Sequence, residues 1–460
     1  MNTFPAFSKE TYIKRRDTLK KIMGKGRLLI LGNEESSINF KDNWYTFRQD
    51  STFLYYVGVS AANLAFFIDI DAGEEILFGN ELSIDDIIWT GPQSTLHELA
   101  DEAGIKKVLP MAGISKYLKQ GVAYLPPYRP EHTLKLAEWL DTDVKVVEAS
   151  ASVEFIKAVA SQRSCKSEEE LAQLDKACTV TSRMHRAVMM EAREGMYEHE
   201  VAAIAQKVLW ENYAANSFLP IVTTNGNVLH NHYYGNRLVA GKMLLFDGGA
   251  ELQNGYCGDM TRTIPVEKKF SSKQREIYEI VYAAYQKAIS LLKPGIRFKD
   301  IHLAASREMV NGLKQLDLMK GDAADAVASG AHTMFFQCGL GHMLGLDVHD
   351  MENLGEQYIG YNENLAKSKD FGLKSLRLGK ELQEGYVLTV EPGIYIIPEL
   401  IDLWWSKKMH TDFINYELLN RYRDFGGIRI ENDFAITQSG GRLLGEPLAI
   451  AAEDVEALRA

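Results

Sequence analysis

An α/β domain over residues 1–160 followed by an α+β domain over residues 161–460 is the fold class this sequence predicts, and three observations predict it. The chain has 460 residues, more than one hydrophobic core usually supports, so two domains are expected. In the first third, short apolar runs bounded by turn signals alternate with helical stretches. In the remainder the order is helices, strands, helices, strands, which hints at an internal duplication of an α+β half, although no residue-level repeat is evident.

In the first domain, residues 26–32 (GRLLILG), 64–70 (LAFFIDI) and 74–79 (EEILFG) read as strands, and 9–23 and 131–140 read as helices. A polar stretch, Ser161-Gln162-Arg163-Ser164, then leads into Ser167-Glu168-Glu169-Glu170. This is a capping box: the serine can accept from the first free amides while Glu170 reaches back, so a helix starts there. Leu171, Leu174, Cys178, Thr181, Met184 and Val188 follow at three- and four-residue spacing, giving that helix one buried face. A second long helix is expected over about 273–292, ending at Pro294-Gly295, and a third begins near Phe298-Lys299-Asp300. Strand signals cluster at 218–222, 243–264, 387–397 and 427–437.

The composition, 46% hydrophobic and 25% charged, is that of a soluble globular protein. A net charge of -11 with no long Lys/Arg run argues against a nucleic-acid partner. No signal-peptide core and no run of about 18 apolar residues is present, so neither export nor a membrane is expected and a cytoplasmic protein is. Cys165, Cys178, Cys257 and Cys338 are scattered without CxxC spacing, which predicts free thiols rather than a disulfide scaffold or a zinc ribbon.

The chemistry is concentrated in five short segments, LLFDGGAE, GDMTRT, GLGHMLGLDVHD, LTVEPGIY and GGIRIEND, which carry Asp247, Asp259, His342, Glu391 and Glu431. Four carboxylates and one neutral imidazole form a hard donor set able to hold two divalent cations close together, two carboxylates bridging. Asp247 and Asp259 flank a hairpin, DGGAELQNGYCGD. A two-residue Asn-Gly turn would put them on opposite faces. A three-residue loop, Gln253-Asn254-Gly255 with Gly255 left-handed, pairs Leu252 with Tyr256 and makes them diagonal neighbours on one face, the register a shared metal requires. Thr261 faces the same way and is a candidate donor to a bridging carboxylate, whereas Arg262 points oppositely and reads as structural. Glycines at 339, 341 and 345 allow close backbone approach around His342 and His349; His342 is assigned to metal and His349 to substrate. Pro392-Gly393 ends strand pairing and lets Glu391 project into a cleft. Arg429 and Glu431 alternate along one expected strand, so that the cation keeps the carboxylate ionised and can also meet a substrate carbonyl.

These segments, in this order, closely resemble the pita-bread metallopeptidases, specifically the proline-specific branch of Xaa-Pro aminopeptidase and Xaa-Pro dipeptidase. The resemblance covers nearly the whole chain: FRQDSTFLYYVGV looks like that branch's N-terminal domain, and FGLKSLRLGKELQEGYVLTVEPGIYII looks like its prolidase side. It implies a pita-bread catalytic domain with an internal pseudo-two-fold, in which Asp247 chelates one metal, His342 and Glu391 serve the other, and Asp259 and Glu431 bridge. It also suggests His230 as a substrate or intermediate hydrogen-bonding residue, with His232 a nearby competitor. Trp89 and Asp42 match positions that help close the site, partly across a dimer interface, so a homodimer or dimer of dimers is implied. Arg377 matches a position the prolidases use for a dipeptide carboxylate. One departure stands out: where the family usually has HGxGH, this chain reads Cys338-Gly339-Leu340-Gly341-His342.

The expected reaction is hydrolysis of the bond before proline in peptides. Glu391 acts as general base, and His349 and His230 stabilise the carbonyl oxygen. The carboxylate-rich donor set favours two manganese ions, with cobalt or zinc able to substitute. A prolidase restricted to dipeptides is the nearest alternative, a methionine aminopeptidase a more distant one. A catalytically dead pita-bread domain that binds peptides or proteins is the alternative of a different class.

Overall fold

A computed structural model of the chain describes residues 7–460. The chain forms two compact units, one of Met1–Arg163 with Met351–Tyr358 and one of Ser164–Asp350 with Ile359–Ala460. The stretch Ser161-Gln162-Arg163-Ser164 is the last turn of the helix Val153–Ser164. The segment Met351–Tyr358, expected in the second domain, belongs to the first unit.

The first unit is built on a five-stranded mixed sheet of β1 (Arg27–Leu31), β2 (Ala65–Asp69), β3 (Glu74–Gly79), β4 (Lys107–Pro110) and β5 (Ala123–Tyr124), in the order β4-β3-β2-β1-β5. Leu29 pairs with Phe67, and Phe67 with Ile76. These three, with Phe78, Ile114, Leu118 and Leu136, form a core with almost no exposed surface. The helix Lys9–Met23 covers the sheet with an unusual buried face, because Arg16 is fully buried. Its guanidinium donates to Glu75 Oε2 at 2.9 Å and to the Tyr56 carbonyl at 2.9 Å, so the charge is paired and its N–H groups are used. In FRQDSTFLYYVG, Asp50 accepts from the Phe53 amide and starts the helix Ser51–Val57. Gly58, at φ +75°, ends that helix where a Cβ would meet the Tyr12 ring at 2.1 Å.

The second unit repeats one pattern twice. The helix pair Glu168–Glu191 and Glu198–Glu211 precedes β6 (Ala215–Asn216), β7 (Ile221–Thr223), β8 (Met243–Asp247), β9 (Ala250–Glu251) and β10 (Thr261–Pro265). The pair Ser272–Ser290 and Phe298–Gln315 precedes β11 (Val387–Val390), β12 (Gly393–Tyr395), β13 (Gly427–Arg429), β14 (Asn432–Thr437) and β15 (Gly440–Leu443). Each half contributes a three-stranded sheet, β10-β8-β7 and β11-β14-β15. Ser167 and Glu170 form the expected capping box, and Leu174, Cys178, Thr181, Met184 and Val188 are buried as the helical spacing predicts; Leu171 is only half-buried.

Three histidines of this unit, His185, His302 and His332, are buried away from the cavity described below, and burial lowers them to about 3, 3 and 4 respectively. The unfolded chain binds a proton at each near pH 6.5, before the folded chain does. The stability they carry is therefore present above about pH 6.5 and lost as pH falls towards their folded values. We expect His302→Phe to gain on wild type by about 1.4 kcal/mol per pH unit below pH 6. Urea midpoints at pH 7, 6 and 5 check this; a constant difference between the two proteins would show that His302 does not titrate on unfolding.

Candidate active site

Asp247 is the last residue of β8 and pairs with Thr261, the first of β10. At the turn between these strands, the Leu252 amide donates to the Tyr256 carbonyl at 3.0 Å, the Gly255 amide to the Leu252 carbonyl at 2.8 Å, and Gly255 has φ +87°. The Glu251–Cys257 bridge keeps the same register. Asp259 is therefore the diagonal neighbour of Asp247, the register expected from the three-residue loop.

The second half presents its carboxylates by a related device. Val390 lies opposite Asn432 and Gly393 opposite Arg429, one register running through both strand pairs. Glu391 sits in the break between β11 and β12, Glu431 in the break between β13 and β14, and that register sets them face to face. The continuous strand expected through Arg429 and Glu431 is thus interrupted at Glu431. The Glu431 amide donates to the Thr261 carbonyl at 3.1 Å, which joins the two halves at this point.

His342 arrives on the Gly-rich loop, which runs along β11. The Glu391 amide donates to the Leu340 carbonyl at 2.8 Å, and the Thr389 amide to the His342 carbonyl at 3.0 Å. Such an approach needs glycine, since a Cβ on Gly341 would lie 2.0 Å from the Thr389 carbonyl oxygen. His342 Nδ1 lies 3.1 Å from the Met343 carbonyl oxygen. A carbonyl only accepts, so Nδ1 carries the hydrogen and Nε2 keeps its lone pair. That lone pair is 3.5 Å from Asp259 Oδ2 and 3.6 Å from Glu391 Oε1.

All five residues line one cavity of about 380 Å³ in the second unit. Ligand atoms of Asp259, His342 and Glu431 lie within 4.8 Å of one another, and all three residues are buried. Burial, and then repulsion from neighbouring carboxylates, raises Asp259 and Glu431 well above the usual range; burial also raises Glu391. Asp247 Oδ1 and Asp259 Oδ1 are buried without a hydrogen-bond partner. Buried carboxylate oxygens in that condition, beside an imidazole lone pair, are costly unless a cation meets them. The donor set is hard and oxygen-rich, and it fits divalent cations.

Arg429 lines the cavity and favours the ionised form of Glu431, as the alternation suggested, and it also reaches across to the other half. Its guanidinium pairs with Asp247 Oδ2, donates to Thr261 Oγ1 at 3.1 Å and to the Tyr395 hydroxyl at 2.9 Å, and is almost wholly buried. These bonds hold the Asp247 carboxylate of the other half. Thr261 Oγ1 donates to Glu431 Oε2 at 2.6 Å. Arg262 is buried and spans strands, donating to the Glu431 carbonyl at 2.7 Å and to Asn432 Oδ1 at 2.8 Å. Two residues escaped the sequence reading. Asp433 accepts the Asp259 amide at 2.9 Å and the Cys178 thiol at 3.1 Å, and burial pushes it up to about 7; its place two residues after Glu431 was the available signal. Asp350 forms a fully buried ion pair with Lys166 at 2.7 Å, immediately after His349.

His230, His232, His349, Arg377 and Cys338 also line the cavity. Both His230 and His232 reach it, so position alone does not choose between them. Loss of solvent, then Arg429, lowers His230. Burial, then Glu391, pushes the Cys338 thiol up to about 12, so it stays neutral. Arg429 and Ser375 add polar groups to the wall, and its apolar part comes from Phe218, Leu219, Ile221, Leu229 and Val348. Asp42 and Trp89 belong to the first unit, where both are exposed, Trp89 by 87%.

Comparison with known proteins follows the same division of the chain. Residues 172–438 match the model of metallopeptidase family M24, and residues 12–125 match that of the aminopeptidase P N-terminal domain. A probable Xaa-Pro aminopeptidase of Fusarium vanettenii is 32% identical over 400 residues, covering 86% of this chain and 84% of the relative. The Xaa-Pro dipeptidase of Homo sapiens is 31% identical over 441 residues, covering 91% and 86%. Among solved structures, zinc-substituted E. coli aminopeptidase P in complex with product superposes with a TM-score of 0.81 at 29% identity, covering 98% of both chains. Proline aminopeptidase P II of Yersinia pestis gives 0.81 at 27% identity, covering 98% and 99%.

Proposed function

The chain belongs to metallopeptidase family M24, in its proline-specific branch, and we propose that its cavity cleaves the Xaa-Pro bond of peptides and releases the N-terminal residue. Its fold is an aminopeptidase P-type N-terminal domain followed by a pita-bread catalytic domain, and it is an enzyme of the Xaa-Pro aminopeptidase class. The observation that carries the catalytic reading is the convergence of Asp259, His342 and Glu431 within 4.8 Å, with Glu391 facing Glu431 in the same cavity.

Asp247, Asp259, His342, Glu391 and Glu431 would hold two divalent cations, manganese by preference for this donor set, with cobalt or zinc as substitutes. When bound, the cations supply Lewis acidity and a water acidified enough to attack near neutral pH. Glu391, directed into the cavity, takes the water proton and delivers it to the imino nitrogen of proline. His349 and His230 donate towards the carbonyl oxygen as charge develops there. The apolar wall of Phe218, Leu219, Leu229 and Val348 suits a proline ring, and the neutral Cys338 thiol adds no charge to it. Thr261 orients Glu431, so Thr261→Val should weaken cation binding by about 10–100-fold. Competition against a fluorescent chelator measures it; unchanged affinity would remove Thr261 from the site's support.

Peptides longer than two residues are the preferred substrates in this reading, with dipeptides the weaker class. The test is kcat/KM for Ala-Pro, Ala-Pro-Ala and Ala-Ala-Ala side by side with manganese present. Cleavage of Ala-Pro alone makes the enzyme a prolidase, and equal cleavage of Ala-Ala-Ala removes the proline requirement. The protein is further proposed to act in the cytoplasm, which four free cysteines support. Among the described residues no helix is long and apolar enough to cross a membrane. A dimer or dimer of dimers is supported by the exposed apolar face of the helix Ile84–Thr90, where Ile84, Ile88 and Trp89 lie in water. Asp42 and Trp89 are proposed to serve substrate closure in that assembly.

A further inference from the structure

His342 and His349 lie seven residues apart on one loop with ring centroids 4.0 Å apart, yet their hydrogen bonds select opposite tautomers. His342 carries its hydrogen on Nδ1, because Nδ1 faces the Met343 carbonyl oxygen, and offers Nε2 as a lone pair. At His349 the donor comes from outside: Arg377 Nε–H donates to His349 Nδ1 at 3.0 Å. A guanidinium has five N–H donors, no acceptor, and stays protonated. His349 Nδ1 must therefore be the lone pair, and in the neutral ring the hydrogen is on Nε2.

We propose that Arg377 is a positioning residue that fixes His349 as the Nε2–H tautomer, so that the imidazole donates to, rather than accepts from, the substrate oxygen in the cavity. The inference rests on the reading of the cavity as a peptidase site and deepens it. It assigns Arg377 a task needed for every substrate, whereas a clamp for a free carboxylate would serve only dipeptides. Three positions in the site agree on it: Arg377 and His349 both line the cavity, and His342, the neighbour of His349, is held in the complementary tautomer. Without a donor on Nδ1 the ring can place its hydrogen there, and the face presented to substrate then loses its donor.

Two substitutions separate the roles by shape. The Nε2 of glutamine occupies the place of arginine Nε along the side chain, so Arg377→Gln keeps a neutral N–H donor and removes the charge. Arg377→Met keeps the length and removes both. With metal-loaded full-length enzyme, Arg377→Met should lower kcat about 10–100-fold on Ala-Pro and on Ala-Pro-Ala alike, the scale of losing one donor to a developing oxyanion. Arg377→Gln should recover much of that loss on both peptides, with KM little changed. A carboxylate clamp would instead raise KM for Ala-Pro alone and would not be rescued by a neutral side chain. That outcome overturns the proposal. Long-range ¹H–¹⁵N spectra of the protein with labelled histidine, assigned by the signals absent from His349→Gln, read the tautomer without any turnover. A pyridine-like Nδ1 in wild type that becomes pyrrole-like or mixed in Arg377→Met is expected, and a pyrrole-like Nδ1 in wild type overturns the inference. If wild type cleaves neither peptide, the functional reading fails, and the spectra still decide the tautomer.

Discussion

Glu391→Gln should lower kcat by about 10²–10⁴-fold, the range for losing a general base, while the apo-protein keeps or gains thermal stability. The two halves of this expectation have one cause. Glu391 faces Glu431 across the break in the strand pairs and lies 3.6 Å from His342 Nε2. Burial raises its carboxyl above the usual range, outweighing His342 and Arg429, which favour its ionised form, while Asp247 opposes ionisation. A neutral amide of the same shape relieves that opposition, so folding does not suffer. Chemistry does, because an amide cannot take the water proton and return it to the imino nitrogen. Loss of cation affinity would add to the rate defect; measuring kcat at saturating manganese and metal content by mass spectrometry separates the two contributions. A variant that turns over near the wild-type rate with both cations bound would end the assignment of Glu391 as the base.

Locally encoded features were legible in the sequence. The Ser167–Glu170 capping box and the Gln253-Asn254-Gly255 loop follow from hydrogen-bonding rules that act over a few residues, and the second of these sets Asp247 diagonal to Asp259. The confrontation of Glu391 with Glu431 was not legible, because it depends on the pairing of strands 40 residues apart and on a break shared by both. Arg429 shows the cost of reading a charged residue by its sequence neighbours alone. Alternation placed it beside Glu431, whose ionised form it does favour, but could not show that the guanidinium also reaches Asp247, 182 residues away. The excursion Met351–Tyr358 into the first unit carried no compositional signal either. His230 and His232, two residues apart in one loop, both reach the cavity, so spacing could not rank them.

Arg429→Met should have the largest effect on the metal-free protein, about 3–5 kcal/mol of stability, as expected when one partner of a buried charge pair is removed. The guanidinium is the cation buried among Asp247, Glu431 and Glu391, and it also holds Thr261 and Tyr395. Without it Asp247 is left without its buried ion-pair partner, and the ionised forms of Asp259, Glu431 and Glu391 lose a favourable charge that added cations can replace. Excess manganese should therefore raise the melting temperature of Arg429→Met more than that of wild type. At 100 times Kd a ligand contributes about 2.7 kcal/mol, enough to offset a large part of the defect if affinity survives. The pH dependence has a definite sign. Asp259, Glu431 and Glu391 hold protons in the folded metal-free state at pH values where the unfolded chain has released them. Apo stability from these groups is thus present below their unfolded values near pH 4 and falls as pH rises towards the folded ones. Cations need the same carboxylates deprotonated, so the gain from manganese should grow between pH 5 and pH 8 in both proteins. Melting temperatures with and without manganese across that range make the comparison. A manganese shift independent of pH, or an Arg429→Met protein as stable as wild type without metal, would contradict a buried carboxylate cluster that awaits cations.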